Sequence, residues 1–254
     1  MLIVLSPTKI QNFEVQHCTS TYSLPLFMNE AEQLVSLLRA LNPTEISKLL
    51  AINTKLTSLN YDRFFNFQVP FTPQNAKQAI LAFDGEVFRG LEASNFTPTD
   101  FEFAQKHLLI YSGLYGALRP LDLIQPYRLE ISTALQNQYG KDMYAFWQDK
   151  ITRFTLSQLE ATAPQILINL ASSEYFKAFK IKDKNIKILE IEFYEYKNDS
   201  LKQIVIYTKK ARGMMARYLI KNKISYIEDI KGFADAGYWF DPALSTQNKY
   251  IFVR

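Results

Sequence analysis

Residues 111–130, YSGLYGALRPLDLIQPYRLE, gather polar chemistry into one stretch. The apolar run Leu108-Leu109-Ile110 leads into Ser112-Gly113 and Gly116, then Arg119-Pro120, Asp122, Pro126, Arg128 and Glu130. Glycine permits backbone angles that other residues avoid, and proline fixes φ and removes a donor. A strand that ends in glycines before a short helical turn leaves N–H groups free to hold an anion. Arg119 and Arg128 add positive charge beside it. The same residues also read as a strand, a turn and an irregular crossover in which Arg and Asp neutralise each other, because ion-pair networks mimic sites.

Three other places carry comparable residue types. Ser6-Pro7-Thr8-Lys9 follows the apolar Leu2–Leu5, and the C-terminal end of a strand is where α/β folds place ligands. Asn169 and Ser172 lie at the end of a second strand-like run, 165–170. If Ser6, Ser112 and Asn169-Ser172 all sit at strand ends, their convergence makes a polar pocket. Ser172 is equally a helix N-cap, with Glu174 suited to a helix's positive end. In the third place, KKARGMMAR at 209–217, Lys210, Arg217 and Lys221 fall on one helical stripe beside an apolar one. A helix opening at Lys209 sets Lys209, Lys210 and Arg212 against the macrodipole, so they call for an anionic partner, internal carboxylates or bound phosphate.

The elements that must position these groups alternate irregularly. Leu2–Leu5 reads as a buried strand and 10–28 as a loop. Asn29 can cap a helix bearing Leu34, Leu37, Leu38 and Leu41, and Asn42-Pro43 ends it and caps the next. A third helix runs through Leu56, Leu59, Phe64 and Phe65, and the turn near Asn53-Thr54 lacks the Gly-apolar-Gly of a helix-hairpin-helix. Thr72-Pro73 and Thr97-Pro98 each pair a cap with proline at the first helical position. Residues 79–83 suggest a strand before an Asp84-Gly85 turn, and 142–161 a helix. Residues 186–196 and 201–208 flank Asn198-Asp199 as a hairpin, and 233–241 and 249–253 suggest two further strands. The expectation is an α/β (α+β) fold: a single compact domain over 1–254 with a mixed β-sheet and flanking helices.

Composition narrows the function classes. With 48% hydrophobic and 21% charged residues the chain is globular, not disordered. No apolar run approaches the roughly 18 residues of a membrane span, and MLIVLSPTK lacks a signal peptide's basic start. One cysteine forbids an internal disulfide and fits a reducing compartment, so the expected location is cytoplasmic. His17-Cys18, without further ligands at metal spacing, assigns no metal, and no cofactor motif is present. Residues 1–100 hold 7 Lys/Arg against 9 Asp/Glu, and 101–254 hold 22 against 16. The basic part suits a phosphate-rich partner.

The chain resembles the peroxide-stress protein YaaA family along nearly its whole length. The segments that carry this are LSPTK at 5–9, AILAFDGEVFRGL at 79–91, SGLYGALRPLDLIQPYRLE at 112–130, INLASSEYFK at 168–177, KKARGMMARYLI at 209–220 and GFADAGYWFD at 232–241. The family usually has Ala where this chain has Thr8. The resemblance implies a cytosolic protein that limits peroxide damage to DNA and protein and is associated with low free iron. It also implies DNA binding through a positive cleft and a helix-hairpin-helix-like element, which falls here on 44–65; it carries over no catalytic residue.

Two readings follow. In the first, Lys9, Arg119, Arg128, Lys177, Lys209, Lys210, Arg212 and Arg217 line a cleft on DNA phosphates, double-stranded or branched, with weak sequence preference. Neutralising about five phosphates gives a log–log salt slope near −4.5 on a duplex. In the second, Ser6, Lys9, Ser112, Asn169, Ser172, Glu174 and Lys209 serve an enzyme acting on a nucleotide or nucleic-acid base. There Glu174 or Glu130 is the general base and a cation stabilises developing charge. Direct iron binding is a third possibility, for which one Cys and two His offer few soft ligands.

Overall fold

Leu2–Leu5 carries no polar side chain because the strand it forms lies mid-sheet and is buried throughout. The computed structural model describes residues 1–16, 18–181, 186–197 and 200–254. In chain order its helices are α1 (Met28–Arg39), α2 (Pro43–Leu50), α3 (Thr54–Asn66), α4 (Ala79–Ala82), α5 (Glu86–Leu91), α6 (Pro98–His107), α7 (Met143–Glu160), α8 (Ser173–Phe176) and α9 (Val205–Lys221). The strands are β1 (Leu2–Leu5), β2 (Lys77–Gln78), β3 (Leu108–Ser112), β4 (Gly116–Leu118), β5 (Leu123–Ile124), β6 (Ile166–Asn169), β7 (Lys187–Lys197), β8 (Ser200–Lys202), β9 (Trp239–Phe240) and β10 (Lys249–Val253).

The fold is α/β with a mixed sheet, as the alternation predicts. Its order is β4-β3-β1-β6-β7-β10-β9, with β8 on β7, and β2 and β5 form a separate pair. β3, β1, β6, β7 and β10 run parallel. After β1 the chain enters β3 on one side, then crosses to β6 on the other. The strand order therefore reverses at β1, and the crevice beyond the carboxyl ends of β1 and β6 is a topological switch point. Burial along β7 alternates strictly from Leu189 to Glu195, leaving Glu190, Glu192 and Tyr194 on a half-open face.

Local signals set several boundaries. Asn42 caps α2 in a capping box with Glu45, and Asn53 accepts from the Leu56 amide to start α3. Thr97 and Asp100 form a second capping box at α6. Asp100 is buried and also bonds the Lys223 ammonium, which ties α6 to the end of α9. Burial resists ionisation of Asp100, but Lys223 and the Thr97 amide and hydroxyl outweigh it and hold the carboxyl below its ordinary range. Stability from this group is therefore present above the ordinary aspartate value, about 3.9, and is lost as pH falls through the lowered folded value. Asp100→Ala should cost about 1–2 kcal/mol at neutral pH, measured by denaturant unfolding. The gap to the unmodified protein should close at acid pH, and a gap of the same size there would contradict this role.

Elsewhere tertiary packing overrides local signals. Residues 79–83 form no strand: Ala79–Ala82 is helical and buried on all sides, and a short apolar run does not distinguish the two by periodicity. The expected strand at 201–208 stops at Lys202, because α9 begins at Val205 and docks along α5. Lys209, Lys210 and Arg212 consequently lie past the first turn of α9, not at its N-terminus. Thr72-Pro73 opens only a turn at 73–75, and Phe27, not Asn29, is the cap position of α1. Within 233–241 only Trp239–Phe240 is strand, preceded by a 3-10 turn at Asp235–Gly237. The Asn198-Asp199 turn and His17 lie outside the described residues, although the β7–β8 pairing around that turn is present.

Candidate functional site

The switch point opens into a cleft of ≈ 550 Å³. The loop after β1 contributes Ser6, Thr8, Lys9 and Gln11, and the segment after β5 contributes Tyr127, Arg128 and Glu130. Ser172 and Glu174 come from the turn into α8, Glu86 and Arg89 from α5, and Lys209 and Arg212 from α9. The strand ends are joined directly: the Ser172 N–H donates to Ser6 Oγ at 2.8 Å, and the two hydroxyls lie 3.1 Å apart. Ser172 does occupy the cap position of α8, yet its side chain bonds Ser6 and not the helix amides.

Charge in the cleft is only partly compensated. Lys9 Nζ lies 2.9 Å from Glu130 Oε1, and Arg128 Nη2 reaches the same oxygen at 3.4 Å. Arg89 pairs with Asp84 and Glu86, and Ser132 donates to Glu174 at 2.5 Å. The Nε atoms of Arg128 and Arg212 are buried without a hydrogen-bond partner among the described residues. Burial lowers the Arg212 pKa, and Glu190 and Glu192 oppose this through space without bonding it. Burial likewise lowers Arg63 on α3, and the like charge of Arg128 adds to it. A buried donor left unpaired costs about 1–3 kcal/mol, more when charged. Both residues line the cleft, so it carries two guanidinium groups that its carboxylates do not fully compensate, a setting that favours an anionic ligand.

Arg212 also lines a second cavity of ≈ 470 Å³ with Asn169, Lys177, Glu190 and Glu192. Asn169 and Glu190 are register partners across β6 and β7, and Asn169 Nδ2 donates to Glu190 Oε2 at 2.7 Å. Burial pushes the Glu190 carboxyl above its ordinary range, against that bond, and Glu192 pushes it further.

The candidates from sequence distribute as follows. Lys9, Arg128, Lys209 and Arg212 share the cleft with Ser6, Ser172 and Glu174. Asn169 and Lys177 line the second cavity, where Lys177 also sits 4.7 Å over the Tyr144 ring. Lys210 is exposed beside the α5–α9 contact. Arg119 is held by the buried Asp122 at 2.9 Å and by the Leu24 carbonyl, and Arg217 by Glu92 and Asp235, so both act as internal ties outside the cleft. Ser112 is wholly buried: its Oγ is 2.7 Å from Tyr127 Oη and accepts the Leu114 and Tyr115 amides. The Leu114 and Tyr115 amides are thus already satisfied and are not free to hold an anion. Sequence reasoning passed over Arg89, Glu86, Tyr127 and Glu190. The EIE alternation in β7 marks the polar face on which Glu190 stands.

Among the described residues no group of three or more His, Cys, Asp or Glu side chains forms a metal site, and no helix is long and apolar enough to cross a membrane. A family model described as "Peroxide stress protein YaaA" matches residues 1–244.

Proposed function

The chain belongs to the peroxide stress protein YaaA family, and from that premise we propose that it acts in the peroxide stress response by binding DNA through the cleft at the switch point. One observation carries the proposal: Arg128 and Arg212 both line the cleft, Arg128 with only a 3.4 Å contact to Glu130 and Arg212 with Glu190 and Glu192 acting only through space. A guanidinium presents donors in a fixed fork that fits phosphate oxygens. The cleft's size suits one nucleotide unit better than a duplex groove, so frayed, branched or single-stranded DNA fits it best. Lys209 would take a flanking phosphate, and Lys9 and Arg89 would do so by exchanging their carboxylate partners. The helical pair α2–α3, whose Arg63 feels the Arg128 charge, is proposed as a second backbone contact.

Phosphate contacts position a strand and do not read it, so affinity should depend weakly on sequence. In a fluorescence anisotropy titration, Arg128→Gln should weaken binding of a single-stranded oligonucleotide about 10-fold. Arg153→Gln, on the exposed face of α7, should not change it. Equal affinity for all three proteins would overturn the proposal. The limitation of damage to DNA and protein, together with lowered free iron, belongs to the same proposal, with iron affected indirectly. Calorimetric uptake of iron(II) by the protein alone would contradict the indirect route.

A second reading is favoured by the acids in the cleft. Glu86, Glu130 and Glu174 face the same space as the cations, which phosphate binding alone does not require. In an enzyme acting on a nucleotide or base, Glu130 or Glu174 would take the proton and an arginine would stabilise developing charge. Heat stabilisation by free nucleotides, with none by oligonucleotides, would move the conclusion to this reading.

A further inference from the structure

We propose that the second cavity, across Arg212 from the cleft, is a base-reading subsite selective for guanine. This rests on the DNA-binding reading and adds to it. Arg212 lines both spaces, so a phosphate held by its guanidinium leaves the attached nucleoside within reach of Glu190. The Asn169 side chain is fixed at both ends: its Oδ1 accepts the Ala171 N–H at 2.9 Å, and its Nδ2 donates to Glu190 Oε2. That bond orients the Glu190 carboxylate and leaves Oε1 and the second lone pair of Oε2 for a ligand. Glu192 is already engaged, by Lys249 at 2.8 Å and by the Tyr194 hydroxyl at 2.8 Å. The cavity therefore offers an oriented carboxylate, with the half-buried Phe176 and the polar Ser173 and Gln203 also in its lining.

A carboxylate accepts at two oxygens. Guanine presents two adjacent donors, N1–H and the 2-amino group, on one edge. Adenine, thymine and cytosine present no such pair, and hypoxanthine lacks the amino group. Burial that raises the Glu190 pKa is the usual consequence of a carboxylate held in a site away from bulk water.

The test uses the full chain and single-stranded oligonucleotides of constant length, with thymine throughout except for one central guanine, hypoxanthine, adenine or cytosine. Anisotropy should show the guanine strand binding about 10-fold tighter than the adenine or cytosine strand, with hypoxanthine between, since one bidentate base contact discriminates by about 1–3 kcal/mol. Glu190→Gln, which keeps shape and replaces one acceptor by a donor, should remove the preference, so that the guanine and adenine strands bind equally. Arg128→Gln should weaken all strands by the same factor. Equal binding of all four strands by the unmodified protein, with the Arg128→Gln loss intact, would overturn the guanine subsite and leave DNA binding standing. Absence of binding to any strand would instead remove the reading on which it rests.

Discussion

Arg212→Met should yield a protein at least as stable as the original that binds DNA about 30- to 100-fold more weakly. The first half follows from burial without compensation: the Arg212 Nε is dehydrated and unpartnered, and Glu190 and Glu192 act on it only through space. Methionine fills similar volume and removes the stranded donor, which offsets the through-space attraction that Glu190 and Glu192 lose. The second half follows from the loss of a charge-assisted bond to phosphate, about 1.5–3 kcal/mol. Arg217, on the same helix, should behave in the opposite way. It is locked between Glu92 and Asp235, so Arg217→Met should lower stability, because removing one partner strands the acids, and should leave DNA affinity unchanged. Thermal unfolding and anisotropy on the two proteins check both halves. Loss of stability in Arg212→Met with retained binding would reverse the roles assigned here.

Gly213→Ala should have the largest effect on the fold. A Cβ at Gly213 would stand 1.8 Å from the Val87 carbonyl oxygen, and one at Gly90 would stand 2.2 Å from the Lys210 carbonyl oxygen. The backbones of α5 and α9 thus touch at paired glycines, and neither helix has a flexible side chain there to give way. Overpacking a close contact costs about 1–3 kcal/mol and occasionally more. With carbonyl oxygens on both sides of this seam, about 3 kcal/mol is expected, roughly a 10 °C fall in Tm for a domain of this size. The same seam carries Lys209 and Arg212 into the cleft opposite Glu86 and Arg89. DNA binding should therefore fall even where the variant remains folded. A Tm within 2 °C of the original would show that the helices separate freely.

Much of the site was legible because strand ends are legible. Ser6-Pro7-Thr8-Lys9 after an apolar run, and Ala171-Ser172 after another, announce parallel strands whose carboxyl ends meet, and Ser6 and Ser172 do bond each other. What sequence does not carry is pairing at a distance. Arg119, Arg128, Arg212 and Arg217 have one residue type and three kinds of environment. Arg119 and Arg217 are held by acids, Arg128 is partly paired, and Arg212 bonds no carboxylate through its buried Nε. The Arg119–Asp122 and Arg128–Glu130 partners lie close enough along the chain to be guessed, and the Arg217 partners do not. Ser112-Gly113 shows the converse: residues suited to an anion nest are absorbed because Tyr127, fifteen residues later, folds back onto the serine. The β-branched run before Lys209 reads locally as strand, and it becomes helix because α9 gains more by packing on α5 than the local preference opposes.

The salt dependence of DNA affinity tests the central claim most directly. For the unmodified protein on duplex DNA with a frayed end, log K should fall with log salt at a slope of about −3 to −4.5, as for three to five neutralised phosphates. The Arg128→Gln, Arg212→Met double variant should flatten that slope by about 1.8. A slope near zero, or the same slope in both proteins, would mean that Arg128 and Arg212 of the cleft do not hold phosphate.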